Sequence, residues 1–306
     1  IHGRPMLLTE HGIYTNERKI EILKAEWLST MNARLSLRQE LGFLRKFWIN
    51  LFLALGKLAY EHADRIFSLY EGNKALQAEY GADPATIEIV PNGVKIKYLE
   101  GERTPLAQRE FPRVGFVGRV VPIKDVKTLI LAFKTVSATL PDACLDILGP
   151  TEEDEEYFEE CRALVGLLGL GEKVVFHGRV DVVEWFKKVD IQVLTSISEG
   201  QPLVILEGFC SGLPCVASDV GSCRELLEGR TDEDRALGSA GLVTGIGNPE
   251  DTAQAIIAIL QNPELHHSMS LAARARVKAY YDYDEMIHTY RSIYQSAMES
   301  EGVWQA

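Results

Sequence analysis

SISEGQPLVILEGFCSGLPCVASDVGSCRELLEG, residues 196–229, is the stretch on which the fold turns. It follows the apolar run IQVL at 191–194 and contains a second such run, CVA, at 215–217. Pro202 stands where a helix would have its first residue, a position at which a missing N–H costs nothing. Gly212 and Pro214 then close the helix, because glycine accepts the left-handed cap and proline cannot continue. The spacing therefore predicts strand, helix over 202–211, strand. Such a helix begins at the mouth of a sheet with the amides of Leu203 and Val204 unbonded, and amides with a dipole behind them attract an anion. Glu199 and Gly200 precede those amides and Glu207 lies on the second turn. Sugar hydroxyls favour charged acceptors and phosphates favour amide donors, so this order suits a ligand with hydroxyls at both ends and phosphates between. The structural alternative is that Glu199 caps the helix and Glu207 pairs with a surface cation.

Working outward, VGFVGRVVPIKD at 114–125 carries a second constellation. Gly115 and Gly118 permit close backbone approach. Arg119 follows the strand, and Lys124 stands at the mouth of the next helix. Together with the amides of 202–204 they predict a preformed cradle of positive charge for a diphosphate. The dinucleotide fingerprint G-x-G-x-x-G is absent. FHGRVD at 176–181 ends at the same sheet edge, where its backbone can pair with a base, Arg179 can stack on it, and His177 is either a border residue or a core histidine. In DVGSCREL, Ser222 and Glu225 have capping-box spacing, and Gly221 can approach the ligand.

From Phe111 onward, apolar runs at 113–117, 145–148, 174–176, 191–194, 215–217 and 241–243 alternate with helical stretches such as 126–138, 155–168 and 182–188. Runs apolar throughout are strands covered on both faces, and alternation with helices means βαβ crossovers and a parallel sheet. The expected class is α/β with two Rossmann-like domains. Residues 109–280 form the nucleotide-binding one. Residues 1–108, with strands at 6–9, 66–69 and 87–90, form an incomplete partner from which an N-terminal portion is expected to be missing. Residues 281–306 form a helix returning to it, and 97–112 read as the linker.

Forty-four acidic against 32 basic side chains leave a formal charge of −12, which argues against nucleic acid as partner. The five cysteines show no C-x-x-C pair and read as buried apolar residues of a reducing compartment. The longest apolar run, FWINLFLALG at 47–56, is too short to span a bilayer. The helix around it, 41–60, either packs as core or docks on a membrane partner through Arg45 and Lys46. TEEDEEYFEE at 151–160 places carboxylates at a helix N-terminus, where the dipole favours them. Asp232–Asp234 and Asp282–Asp284 have the Asp-x-Asp form of a metal motif. The first lies in a charged loop and Asp284 reads as an N-cap, so no metal site is expected.

FVGR with its following lysine, the FHGRV loop, and Glu199–Glu207 with G-x-P-x-V-A resemble the retaining family 4 glycosyltransferases of GT-B fold. The likeness extends through IEIVPNGV at 87–94, similar to that family's interdomain crossover. LLTEHGIYTNERKIEI at 7–22, PNGVKI and the 198–229 block look most like the cytosolic glycosyltransferases of bacterial Pel exopolysaccharide synthesis. The resemblance implies that Arg119 and Lys124 grip the diphosphate of a UDP-sugar. Glu207 would hold the ribose, Glu199 would contact the donor sugar, His177–Arg179 would border the uracil, and His11 would face donor and acceptor. Gly118, Gly200, Gln201, Pro202, Leu203 and Val204 complete the implied donor site. It further implies a cytoplasmic enzyme that moves a hexose, UDP-glucose being the expected donor, to a saccharide acceptor. No metal or cofactor is implied, and a membrane-protein partner would hold it at the inner face. Two departures stand out: Gln201–Pro202 replace the usual Phe-Gly, and the expected N-terminal Gly-rich loop is absent. The alternatives are a UDP-sugar epimerase or hydrolase of the same fold, or a non-catalytic nucleotide-sugar-binding subunit.

Overall fold

The computed structural model describes residues 5–10, 38–100 and 105–299. His11 and most of the 7–22 stretch lie outside them, as do the side chains of Arg45 and Lys46. The chain divides into two compact units, Ile1–Pro91 with His288–Ala306, and Asn92–Ile287.

The first unit holds a parallel three-stranded sheet in the order β1-β2-β3, formed by Leu7–Glu10, Arg65–Ser68 and Ile87–Ile89. The helices Arg38–His62 and Glu71–Glu79 connect with it. Its small core contains Tyr60, Ile66, Ala82 and Ile87. The final helix, Tyr283–Glu299, brings the Tyr290 ring within 6.0 Å of Phe67. Asp282 caps that helix by accepting from the amides of Asp284 (2.8 Å) and Glu285 (3.3 Å), so Asp284 is a first-turn residue and not the cap.

The second unit is a six-stranded, wholly parallel sheet in the order β6-β5-β4-β7-β8-β9. The strands are β4 Arg113–Val117, β5 Cys144–Leu148, β6 Val174–Gly178, β7 Ile191–Leu194, β8 Cys215–Ser218 and β9 Gly241–Thr244. Each expected strand of this sheet is present, some longer by one or two residues. Helices Val126–Thr139, Glu155–Leu167 and Val182–Phe186 follow β4, β5 and β6. Asp125 and Asp154 cap the first two, accepting from the amides of Thr128 (3.4 Å) and Tyr157 (3.0 Å). Leu129, Phe133, Leu145, Ile147, Ile191 and Val193 form one fully covered core; Leu206, Phe209, Leu226 and Val277 belong to a second.

The segment expected as linker is not one throughout. Val94, Ile96 and Leu99 are buried in the second core, and the Ser211 hydroxyl donates to the Leu99 carbonyl at 2.8 Å. Apolar side chains in 94–99 thus carry the boundary back to Pro91, short of the polar residues that suggested 108. Four of the five cysteines are buried, and burial pushes the Cys161 thiol up to about 11 and that of Cys210 up to about 12.

Strand order places the site. Going from β4 the chain winds toward β6 on one side, and from β7 toward β9 on the other. The loops leaving β4 and β7 therefore part at the carboxyl edge, and open α/β sheets bind ligands in the crevice at such a switch point. Residues 118–124 leave β4 and 195–203 leave β7.

Candidate nucleotide-sugar site

The two loops are laced together by their own backbone and hydroxyls. Thr195 donates to the carbonyls of Lys124 (3.2 Å) and Asp125 (3.0 Å), and the Ile197 amide donates to the Ile123 carbonyl (2.9 Å). This fixes the short turn Pro122–Lys124 beside the end of β7. The Lys124 ammonium then lies 2.5 Å from Glu199 Oε1, which also accepts from the Ser196 hydroxyl at 2.6 Å. Both partners are largely covered, 18% and 11% exposed, so the pair is desolvated and held at both ends. Glu199 does not cap the helix.

The 199–203 segment is pressed into place from the β8 side. Gly221 adopts φ +54°, and a Cβ there would run into the carbonyl oxygens of Glu199 and Gly200. The Ser222 amide donates to the Gly200 carbonyl at 2.9 Å. The Ser222 hydroxyl, fully buried, makes no cap bond to the helix Cys223–Glu228, so the capping box suggested by its spacing with Glu225 is not formed through it. Gln201 is buried, and its side-chain oxygen accepts from the Asn92 amide at 2.6 Å. Expected as a ligand contact, Gln201 ties the loop to the 92–94 crossover. Pro202 is the N-cap of the helix Leu203–Cys210, which starts one residue later than expected, and no side chain caps that end. The first-turn amides of Leu203 and Val204 therefore remain available to an anion.

One turn on, Glu207 is half-buried and makes no hydrogen bond or ion pair among the described residues. Burial alone raises its carboxyl above the usual range. A charge kept desolvated without a partner is costly unless a ligand supplies donors. The helix can approach β7 this closely because residue 208 is glycine: a Cβ would collide with the Gln192 side chain, which donates to the Val204 carbonyl at 3.0 Å.

The remaining cations differ from expectation. Arg119 leaves β4 at the site but lies 3.0 Å from Glu153, both exposed. Arg179 lies 3.0 Å from Glu152. The rim is thus a set of ion pairs, not a bare positive cradle, because the acidic loop after β5 sits between the two arginines. Gly118 and Gly149 bring these loops together. Gly149, at φ +138°, lies so close that a Cβ would strike the Gly118 carbonyl, and its amide donates to the Gly178 carbonyl at 2.8 Å. The His177 ring is engaged elsewhere: Nε2 is 2.8 Å from the buried Asp146, which also takes Arg113 at 2.7 Å, and the ring packs 4.2 Å from Trp185. Its side chain is held by the sheet, leaving only its backbone at the edge.

Lys124, Glu199, Gly200, Pro202, Leu203 and Val204 are therefore brought together, with Glu207 on the next turn and Gly118 and Arg119 at the neighbouring strand end. Thr195, Ser196, Gly149 and Gly221 complete the frame. Of these, Gly221 was already read from the sequence as able to approach the ligand, and Ser196 had a legible signal in its three-residue spacing from Glu199. Neither Asp-x-Asp run is arranged as a metal site. Asp234 is taken by the fully buried Arg276 (2.6 Å) and the Arg230 amide (2.9 Å), and Asp282 is a cap. Among the described residues no group of three or more His, Cys, Asp or Glu could hold a metal ion.

The family described as glycosyl transferases group 1 matches residues 111–262, and a domain of unknown function, DUF3492, matches residues 1–85. D-inositol 3-phosphate glycosyltransferase of Nocardia farcinica is 29% identical over 232 residues, 71% of this chain and 49% of that protein. N-acetyl-alpha-D-glucosaminyl L-malate synthase of Bacillus anthracis is 28% identical over 180 residues, 58% of this chain and 44% of that protein. The chain spans about half the length of these relatives. Among solved structures, Anabaena HepE in complex with UDP and glucose superposes with a TM-score of 0.73 at 19% identity, over 96% of this chain and 72% of that one. Sucrose-phosphate synthase of Thermosynechococcus elongatus gives 0.73 at 21% identity, over 96% and 68%. At such identities the likeness is one of fold, and it is the GT-B α/β fold expected from the sequence. Among the described residues no helix is long and apolar enough to cross a membrane.

Proposed function

We propose, starting from the match of residues 111–262 to the group 1 glycosyltransferases, that this chain takes part in transferring a hexose from a UDP-sugar to a growing exopolysaccharide with retention of configuration. UDP-glucose is the preferred donor. One observation carries the reading: the covered Lys124–Glu199 pair adjoins the uncapped start of the 203–210 helix, with the unpartnered Glu207 one turn on. Lys124 and the amides of Leu203 and Val204 supply positive potential for the diphosphate. Glu207 supplies an acceptor for the ribose hydroxyls, and Glu199 supplies one for the sugar.

The reaction follows from those charges. As the anomeric C–O bond breaks, negative charge grows on the β-phosphate, where fixed donors stabilise the departing diphosphate more than the intact donor. The acceptor oxygen bonds to the anomeric carbon on the face that the diphosphate leaves, and its proton passes to a phosphate oxygen. Lys124, Arg119 and the helix amides provide the charge compensation that a divalent ion provides elsewhere, so no metal enters the scheme. The likeness of 7–22 and 198–229 to Pel glycosyltransferases supports an exopolysaccharide acceptor, a cytoplasmic setting and a membrane-bound partner at the inner face.

The test is donor turnover by the protein, with product anomeric configuration read by NMR. Lys124→Ala should lower turnover by ~10²–10³-fold, the effect of deleting one charge-stabilising donor. Turnover within threefold of wild type would refute its role. Sugar released only to water, or isomerised on UDP, would replace the transferase reading by the hydrolase or epimerase one. UDP binding with no donor turnover in the full chain would favour a binding subunit.

A further inference from the structure

We propose that Glu153, with Glu152 beside it, is an intramolecular competitor for the donor's diphosphate: it occupies Arg119 until a ligand displaces it. The inference rests on the donor reading above. β5 lies between β6 and β4, so the loop that leaves it has Arg179 on one side and Arg119 on the other. That loop is pinned at its root. The Gly149 amide donates to Gly178, the Val120 amide donates to the Pro150 carbonyl at 3.0 Å, and Gly149 lies flat on Gly118. From this fixed root the two adjacent carboxylates diverge, Glu152 to Arg179 and Glu153 to Arg119, each at 3.0 Å.

Helix capping does not account for them. Asp154 is the cap of the helix Glu155–Leu167, and Glu155 and Glu156 fill its first turn. Glu152 and Glu153 precede all of these. The Glu152 carboxyl is held below the usual carboxylate range by its own backbone N–H and then by the Arg179 guanidinium, so it stays charged in mildly acidic solution. Lys124 is already bonded to the covered Glu199, whereas the Glu153 partner of Arg119 is exposed and open to exchange. The Arg179–Glu152 pair is more exposed still, but it lies on the β6 side of the loop, away from β4. A phosphate offers the guanidinium stronger charge-assisted bonds than an exposed carboxylate does. The exchange therefore favours the donor, at an affinity reduced by the contact it breaks. Exposed ion pairs of this kind are worth about 0.2–1 kcal/mol, which sets the competition at roughly 1.4- to 5-fold in affinity.

The experiment is calorimetric titration of the full chain with UDP and, separately, with inorganic pyrophosphate. Wild type, Glu153→Gln, Arg119→Ala, the double variant and Glu156→Gln are compared. Glu153→Gln should tighten pyrophosphate and UDP by about 1.4- to 5-fold, and Glu156→Gln by less. The gain should vanish in the Arg119→Ala background, because the competition acts through that guanidinium. Unchanged or weaker binding in Glu153→Gln overturns the proposal. So does a gain that persists without Arg119, which would be a general charge effect. If pyrophosphate binds and tightens in Glu153→Gln while UDP shows no preference over it, the competitor stands and the uridine reading fails.

Discussion

At the scale of single residues, the site is a contrast between two glutamates seven positions apart. Glu199 has company, bonded to Lys124 and Ser196. Glu207 is half-buried without a partner among the described residues, and burial raises its carboxyl. An acid whose folded pKa lies above its unfolded one costs stability when ionised. That cost is absent below the unfolded pKa, builds as pH rises through the raised folded value, and is fully present above it. Glu207→Gln should therefore raise the melting temperature of the free protein at neutral pH while weakening UDP. In wild type, UDP affinity should fall on acidification at a higher pH than an ordinary glutamate would produce. Thermal melts and UDP titrations across pH check both; a Gln variant that melts lower, or that binds UDP as wild type does, contradicts the assignment. The residue types of Arg119, Lys124, Glu199 and Glu207 were legible because their spacing around strand ends and a proline-started helix has a local meaning. Their partners were not. Glu153 is 34 residues from Arg119, and no local pattern announces a pair that two parallel strands bring together.

At the scale of elements, the donor loop is shaped by backbone proximity. Gly221 has to be glycine twice over, because its φ is positive and because a Cβ would strike two carbonyls of the 199–200 segment. Gly169 also has a positive φ, +68°, but open space around it. Alanine at 169 should thus show only the left-handed strain of about 1–2 kcal/mol. Gly221→Ala should lose that and more, and should weaken UDP by displacing Glu199 and Gly200. Urea midpoints for both variants, with UDP titration of each, check this; equal destabilisation with intact UDP binding would contradict it. Strands and helices of the 113–244 region were readable from runs of apolar β-branched residues, their alternation with helical stretches and the Pro202/Gly212 punctuation; the Asp125 and Asp154 caps were not read. The place of Gln201 was not, since a buried amide bonded to the Asn92 backbone looks in sequence like any polar loop residue.

At the scale of the whole molecule, stability of the second unit leans on a polar knot remote from the site. Arg276, fully buried on the helix Pro263–Tyr280, donates to the Asp234 carboxylate at 2.6 Å and to the carbonyls of Leu227 (2.8 Å) and Gly238 (2.8 Å). Removing one partner of such a pair strands the other charge, so Arg276→Met should cost about 3–5 kcal/mol. The loss would appear as a lower urea midpoint, with UDP affinity of the folded fraction unchanged; a midpoint within the error of wild type would contradict it. The same knot takes up the Asp234 carboxylate, which a reading of the Asp-x-Asp spacing alone cannot foresee. The sequence by itself determined the parallel α/β class, the order of elements and the residues at the strand ends, because hydrophobic period, caps and turn residues act between near neighbours. Only the tertiary structure decided which charges meet. Electrostatic pairing depends on distance through space, and β4, β5 and β7 bring together at one edge side chains that lie 34 and 75 residues apart along the chain.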